Sequence, residues 1–153
     1  MKRTMMEEPA LRRALEDAVL EVLETMCFEF PAGDPEEGGL AEGERLAARA
    51  RFEGSLRGEL RVALEGAAPR RLAAAFLGIE EEEVREQDEL QMAAELANML
   101  CGATMSRLEP QGRLRIAAPE AARGPVGCAG APWLRFPLEQ GEVAVTLCCE
   151  EGL

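Results

Sequence analysis

Residues 49–65, RARFEGSLRGELRVALE, alternate apolar and polar side chains in two short runs, and this stretch decides the fold. Ala50 and Phe52 share one face of the first run, and Leu60, Val62 and Leu64 share one face of the second, with Gly54 and Gly58 near the reversal. Alternation of this kind places every second side chain on a core, so the stretch predicts an antiparallel hairpin with one face buried. Residues 134–147, LRFPLEQGEVAVTL, predict a second hairpin that turns near Gln140 and Gly141. Each hairpin has Arg-Phe leading to Gly-Glu and then an alternating apolar strand. The segments before them also align, LEVLETMC at 20–27 with AELANMLC at 94–101. Glu21 then matches Glu95, Cys27 matches Cys101, and Glu24 stands where Asn98 stands. A helix followed by a hairpin therefore occurs twice, as a diverged internal duplication. The fold class is α+β, an antiparallel sheet packed against two long helices (residues 10–27 and 88–108), in a single domain over 1–153.

The intervening segments fit between these units. The spacing of Leu11, Leu15, Val19, Val22 and Met26 is helical, with Pro9 where a first turn tolerates it. FPAGDPEEGGLAEG, residues 30–43, reads as a loop, and APRRLAAAFLG, residues 68–78, as a short helix ending at Gly78. The acidic run IEEEEVREQDE precedes the second long helix, where carboxylates oppose the helix dipole, and it reads as a solvated cap. GRLRIAAP supplies an isolated strand, Arg113 to Ala117, before a Gly/Pro/Ala-rich connection through residues 119–132.

Composition removes several classes of function. With 29 acidic and 17 basic residues the formal net charge is -12, which repels a phosphate backbone, so nucleic acid is not an expected partner. No apolar run reaches the roughly 20 residues of a membrane span, and MKRTMMEEPALRR has no apolar core of a secretory signal. The expectation is a cytoplasmic protein without a membrane partner. Cys27, Cys101, Cys128, Cys148 and Cys149 contain no C-x-x-C and are odd in number, so they read as small thiols in a reducing compartment, with no metal site. The chain has neither His nor Tyr, which removes the commonest general base and every Ser-His or Cys-His nucleophile. Any catalysis here works through carboxylates, amides and positioning.

The second long helix carries the candidate site. With Glu95 at zero and about 100° per residue, Leu90, Ala94, Ala97, Cys101, Met105 and Leu108 centre near 240°, and Met92, Leu96, Met99, Leu100 and Ala103 lie between about 40° and 140°. Two apolar faces predict a helix packed on both sides. Gln91, Glu95, Asn98, Gly102 and Ser106 occupy the strip that remains. Such a strip is either an ordinary solvent-exposed rim or a working surface. Asn is a poor helix-interior residue and Gly102 costs about 1 kcal/mol relative to Ala, and both fall on the same strip. Glycine beside Glu and Asn leaves room for the backbone of another molecule. Glu95 and Asn98 should accordingly be solvent-accessible, with Ala94, Ala97 and Cys101 buried.

ELANMLCG (Glu95 to Gly102), FEGSLRGEL (Phe52 to Leu60) and the helix APRRLAAAFLG together resemble the CheC/CheX/FliY family of chemotaxis phosphatases. Pro119 lies downstream of Asn98 at about that family's spacing. The likeness runs from the first helix to the last hairpin. Because only the second copy pairs Glu with Asn, the chain resembles CheX, with one site, more than CheC, whose two halves can each have one. The resemblance implies an enzyme that removes the phosphoryl group from the aspartyl phosphate of a CheY-like receiver domain. Asn98 would then place a water in line with the phosphorus and Glu95 would pair with a receiver lysine, with Gln91, Gly102 and Ser106 contacting the partner. No cofactor or metal is implied in this chain, since the receiver brings its own Mg²⁺. Gln91 departs from the family pattern, which has Asp or Ser at that position. A non-catalytic module that only docks receivers or switch components is the alternative, and a scaffold for chemoreceptor assemblies is a third. The resemblance also implies pairing of two copies through a sheet edge such as Arg113 to Ala117, where Arg113 and Arg115 would oppose indiscriminate association.

Overall fold

The structure, a computed structural model, describes residues 2–4, 8–126 and 132–151. Its elements are β1 (Lys2–Thr4), α1 (Pro9–Cys27), β2 (Glu36–Gly38), β3 (Glu44–Glu53), β4 (Leu56–Glu65), α2 (Ala68–Leu77), a 3₁₀ turn (Glu81–Glu83), α3 (Glu86–Leu108), β5 (Arg115–Ile116), β6 (Glu120–Pro125), β7 (Trp133–Pro137) and β8 (Glu142–Glu151). All the strands join one antiparallel sheet in the order β2-β7-β8-β4-β3-β5, with β6 also on β3 and β1 also on β8. The α+β class, the two hairpins and the two long helices are as the sequence predicts.

The two hairpins lie side by side, with β4 and β8 forming the centre of the sheet and Val62 opposite Val145. Their alternation divides the sheet into two faces. Leu46, Ala48, Ala50, Phe52, Leu60, Val62, Leu64, Leu134, Phe136, Val143, Val145 and Leu147 are buried in one cluster with the helices. On the other face Trp133 is buried with Leu40, Ala63 and Ala144, while Arg49, Arg51 and Arg61 surround Glu59. Burial of a Leu or Phe side chain contributes about 1.5–3 kcal/mol, so the helix-facing cluster dominates stability.

The helix ends follow local chemistry. Pro9 opens α1, and α3 begins where the Asp88 carboxylate accepts a hydrogen bond from the backbone N–H of Arg85 at 2.9 Å. Gly78 closes α2 in the left-handed conformation, which costs glycine little. Phe28 closes α1 in the same conformation (φ 54°, ψ 36°), with its N–H on the Glu24 carbonyl and the Glu29 N–H on the Leu23 carbonyl.

The structure corrects the sequence reading at the sheet edges. The loop over 30–43 contains β2, paired with β7, and the connection over 119–132 contains β6, paired with β3 from Glu44 to Arg49. The strand Arg113 to Ala117 narrows to Arg115–Ile116 and is not isolated, because it pairs with the end of β3. These edges are built by backbone pairing to a distant strand, with little apolar alternation of their own. Gly58 lies inside β4 beyond the turn itself, opposite Phe52 and Cys149. Cys27 and Cys101 are buried free thiols, Cys149 is buried and Cys148 half-buried, whereas Cys128 lies outside the described residues.

Candidate functional site

The candidate site lies along α3, which packs on α1 at one side and on the sheet at the other. Met92, Ala93, Leu96, Ala97, Leu100, Cys101, Thr104 and Met105 are all buried, leaving the predicted strip as the outward edge. Gln91 and Ser106 are exposed and Glu95, Asn98 and Gly102 half-buried. Ala97 and Cys101 are buried as expected, but Ala94 is half-buried. Its angular position adjoins the strip, so part of its surface is left uncovered.

Glu95 and Asn98 are three residues apart and therefore neighbours on one helix face. Among the described residues neither side chain makes a hydrogen bond or ion pair. A half-buried carboxylate and amide left free in the folded chain are available to another molecule, and the amide both donates and accepts. The Ser106 hydroxyl, by contrast, donates to the Gly102 carbonyl at 2.8 Å, so its proton is engaged within the helix. A Cβ built on Gly102 would meet only Ile116 Cδ1 at 4.0 Å, an ordinary contact. Nothing inside the chain excludes a side chain there; the glycine keeps the outward side low.

On the α1 side the strip borders a groove of about 560 Å³ lined by Glu21, Val22 and Thr25 of α1 and Met99, Ala103, Ser106 and Arg107 of α3. Arg107 forms an ion pair with Glu21. Thr25 and Met99 occur further along α1 and further back along α3, so the two helices run antiparallel. The Glu that the duplication matches to Glu95 is thus tied to the other helix, and Glu24, in the position of Asn98, has no amide. The Glu21–Arg107 tie was not visible in the sequence, because it depends on the packing direction of two helices far apart in the chain. The larger concavity, about 570 Å³, lies off this strip, between Arg51, Arg57, Arg115 and Cys148.

Nucleophilic chemistry by cysteine does not fit the site. Burial pushes the Cys27 thiol up to about 12, with the Glu29 carboxylate adding to the shift, and burial alone pushes Cys101 up to about 12. Both remain neutral thiols in the buried core. Among the described residues no group of three or more His, Cys, Asp or Glu could hold a metal ion. No described helix is long and apolar enough to cross a membrane.

An antiparallel sheet built from two helix-hairpin units, with two long helices packed against it, is the architecture of the CheC/CheX class. A CheC-like superfamily protein from Shewanella sp. PV-4 superposes with a TM-score of 0.75 at 21% identity, covering 94% of this chain and 99% of that one. CheX from Vibrio vulnificus gives a TM-score of 0.75 at 18% identity, over 92% and 96% of the two chains. The CheX-CheY-BeF₃-Mg²⁺ complex from Borrelia burgdorferi gives 0.69 at 18% identity, over 92% and 98%. No curated protein matches by sequence. The family model described as chemotaxis phosphatase CheX matches residues 46–127, and the chain belongs to that family.

Proposed function

We propose that the protein docks a phosphorylated CheY-like receiver domain and hydrolyses its aspartyl phosphate. The observation that carries this reading is the pair Glu95 and Asn98, side by side and free of internal partners on the outward edge of a helix whose inner face is buried. Asn98 orients a water in line with the phosphorus, and Glu95 pairs with a receiver lysine to set the docking geometry. The water oxygen forms the new bond to phosphorus as the bond to the aspartyl oxygen breaks. Aspartate leaves as a carboxylate, and the protons of the water end on inorganic phosphate or solvent. Phosphoryl transfer asks mainly for positioning and charge stabilisation, which suits a chain without histidine. Mg²⁺ belongs to the receiver in this reading and offsets charge on the transferring oxygens there. The relative from B. burgdorferi, whose complex contains CheY, BeF₃ and Mg²⁺, supports the choice of partner.

The reading extends to one domain over residues 1–153 acting in the cytoplasm. Gln91, on the strip beside Glu95, contacts the receiver together with Gly102 and Ser106. Because the family pattern has Asp or Ser where this chain has Gln91, the second reading is a receiver-docking module without turnover. The two are separated by the decay of a phosphorylated receiver from the same genome with trace amounts of this protein added. Acceleration at substoichiometric amounts supports hydrolysis; decay that responds only to stoichiometric protein supports docking alone.

A further inference from the structure

Phe28 combines an unusual exposure with a strained backbone. It is 76% exposed, and it takes the left-handed conformation at the end of α1, which bulky L-residues avoid. Gly78 serves the same closing role on α2 without either disadvantage. Phe30 is also exposed, whereas Glu29 between them is buried, held by Arg71 Nε at 3.2 Å. The end of α1 thus turns its acid inward and its aromatic rings outward.

The position of Phe28 follows from the helix pairing. Glu21 meets Arg107, and Thr25 shares the groove with Met99 and Ala103. Three residues beyond Thr25, about 4.5 Å along the axis, Phe28 lies further in the direction of the half of α3 that carries Glu95 and Asn98. Glu24 is one turn back from Phe28 and exposed, and among the described residues neither it nor Glu95 has an ion-pair partner. Arg107 is engaged by Glu21, and Arg71 by Glu29 and Glu139. An exposed ring with one free carboxylate a turn away on its own helix and another on the paired helix is complementary to an apolar cleft bordered by lysine or arginine.

We infer that Phe28 is an apolar anchor for the phosphorylated receiver, entering a cleft beside the phosphoryl site while Glu95 and Glu24 meet basic groups at its rim. This rests on the proposed function for the identity of the occupant. Phe28 is a docking residue and takes no part in water positioning, so its removal acts on binding.

The test uses Phe28→Gly, which suits the left-handed conformation, with Phe28→Asn as a second variant that also tolerates it. Binding is measured by calorimetry against receiver loaded with beryllofluoride, and turnover by phosphate release. The expected result is a Kd and KM raised by about 10-fold or more, an unchanged kcat, and a Tm equal to or above that of the wild type. An unchanged Kd in both folded variants overturns the inference. A wild type that binds receiver but does not turn it over refutes hydrolysis, and the Kd then decides the anchor alone. A wild type that binds no receiver overturns the docking reading and the anchor with it.

Discussion

At the scale of single residues, Asn98 and Glu95 are distinguishable by kinetics. An amide that holds water only on the way to the transition state affects kcat, so Asn98→Ala should lose at least about 10-fold in kcat, or about 1.4 kcal/mol, with little change in KM. On the proposed mechanism Glu95→Ala removes a charge that meets the receiver and should weaken both binding and rate. Glu21→Ala should retain turnover, and since its tie to Arg107 is solvent-exposed the loss of stability should stay below about 1 kcal/mol. Steady-state hydrolysis of a purified receiver by the three variants checks all of this; wild-type kcat in folded Asn98→Ala would exclude the amide from catalysis. The buried thiols give a second residue-scale prediction. A thiol whose folded pKa lies near 12 against an ordinary 9.0 favours the fold below about pH 9, and that contribution is lost as pH rises toward 12. Urea midpoints should therefore fall through this alkaline range, and fall less for a folded Cys101→Ala variant. The strip was legible because helical angle alone isolates it, whereas Phe28 was not, since its significance depends on a backbone dihedral that no spacing reveals.

The elements show where such reading succeeds. Both hairpins and all three helices announced themselves by alternation, helical spacing, Pro9 and Gly78. β6, with the sequence EAARGP, could not, because Ala, Gly and Pro carry no apolar period and its strand state comes from the open edge of β3. β2 is similar, with only three residues that complete the edge of β7. Gly58 illustrates the same dependence on a neighbouring strand. A Cβ there would lie 2.1 Å from the Cys148 carbonyl oxygen and 2.7 Å from Cys149 Cα, so β4 and β8 could not keep their register. Gly58→Ala should cost about 1–3 kcal/mol by overpacking at the centre of the sheet. Equilibrium urea unfolding measures this, and an unchanged midpoint would mean that the strands part without cost.

For the whole molecule, the outer edge formed by β5 and β6 is the place where a second copy could extend the sheet, and we expect a homodimer through it. Light scattering that gives a monomer at high concentration rules this out. The pairing of β2 and β6 has a larger consequence. β2, which precedes the first hairpin, pairs with β7 of the second; β6, which precedes the second hairpin, pairs with β3 of the first. Each half therefore finishes the other's margin, about an axis that passes between Val62 and Val145. That arrangement is what two identical half-length chains would make by exchanging arms, so a gene that later joined them end to end would inherit a reciprocal clasp. Cutting the chain between Gly78 and Glu81 should give two peptides that are unfolded apart and recover the native circular dichroism when mixed. A first half that folds alone would show that the clasp is dispensable.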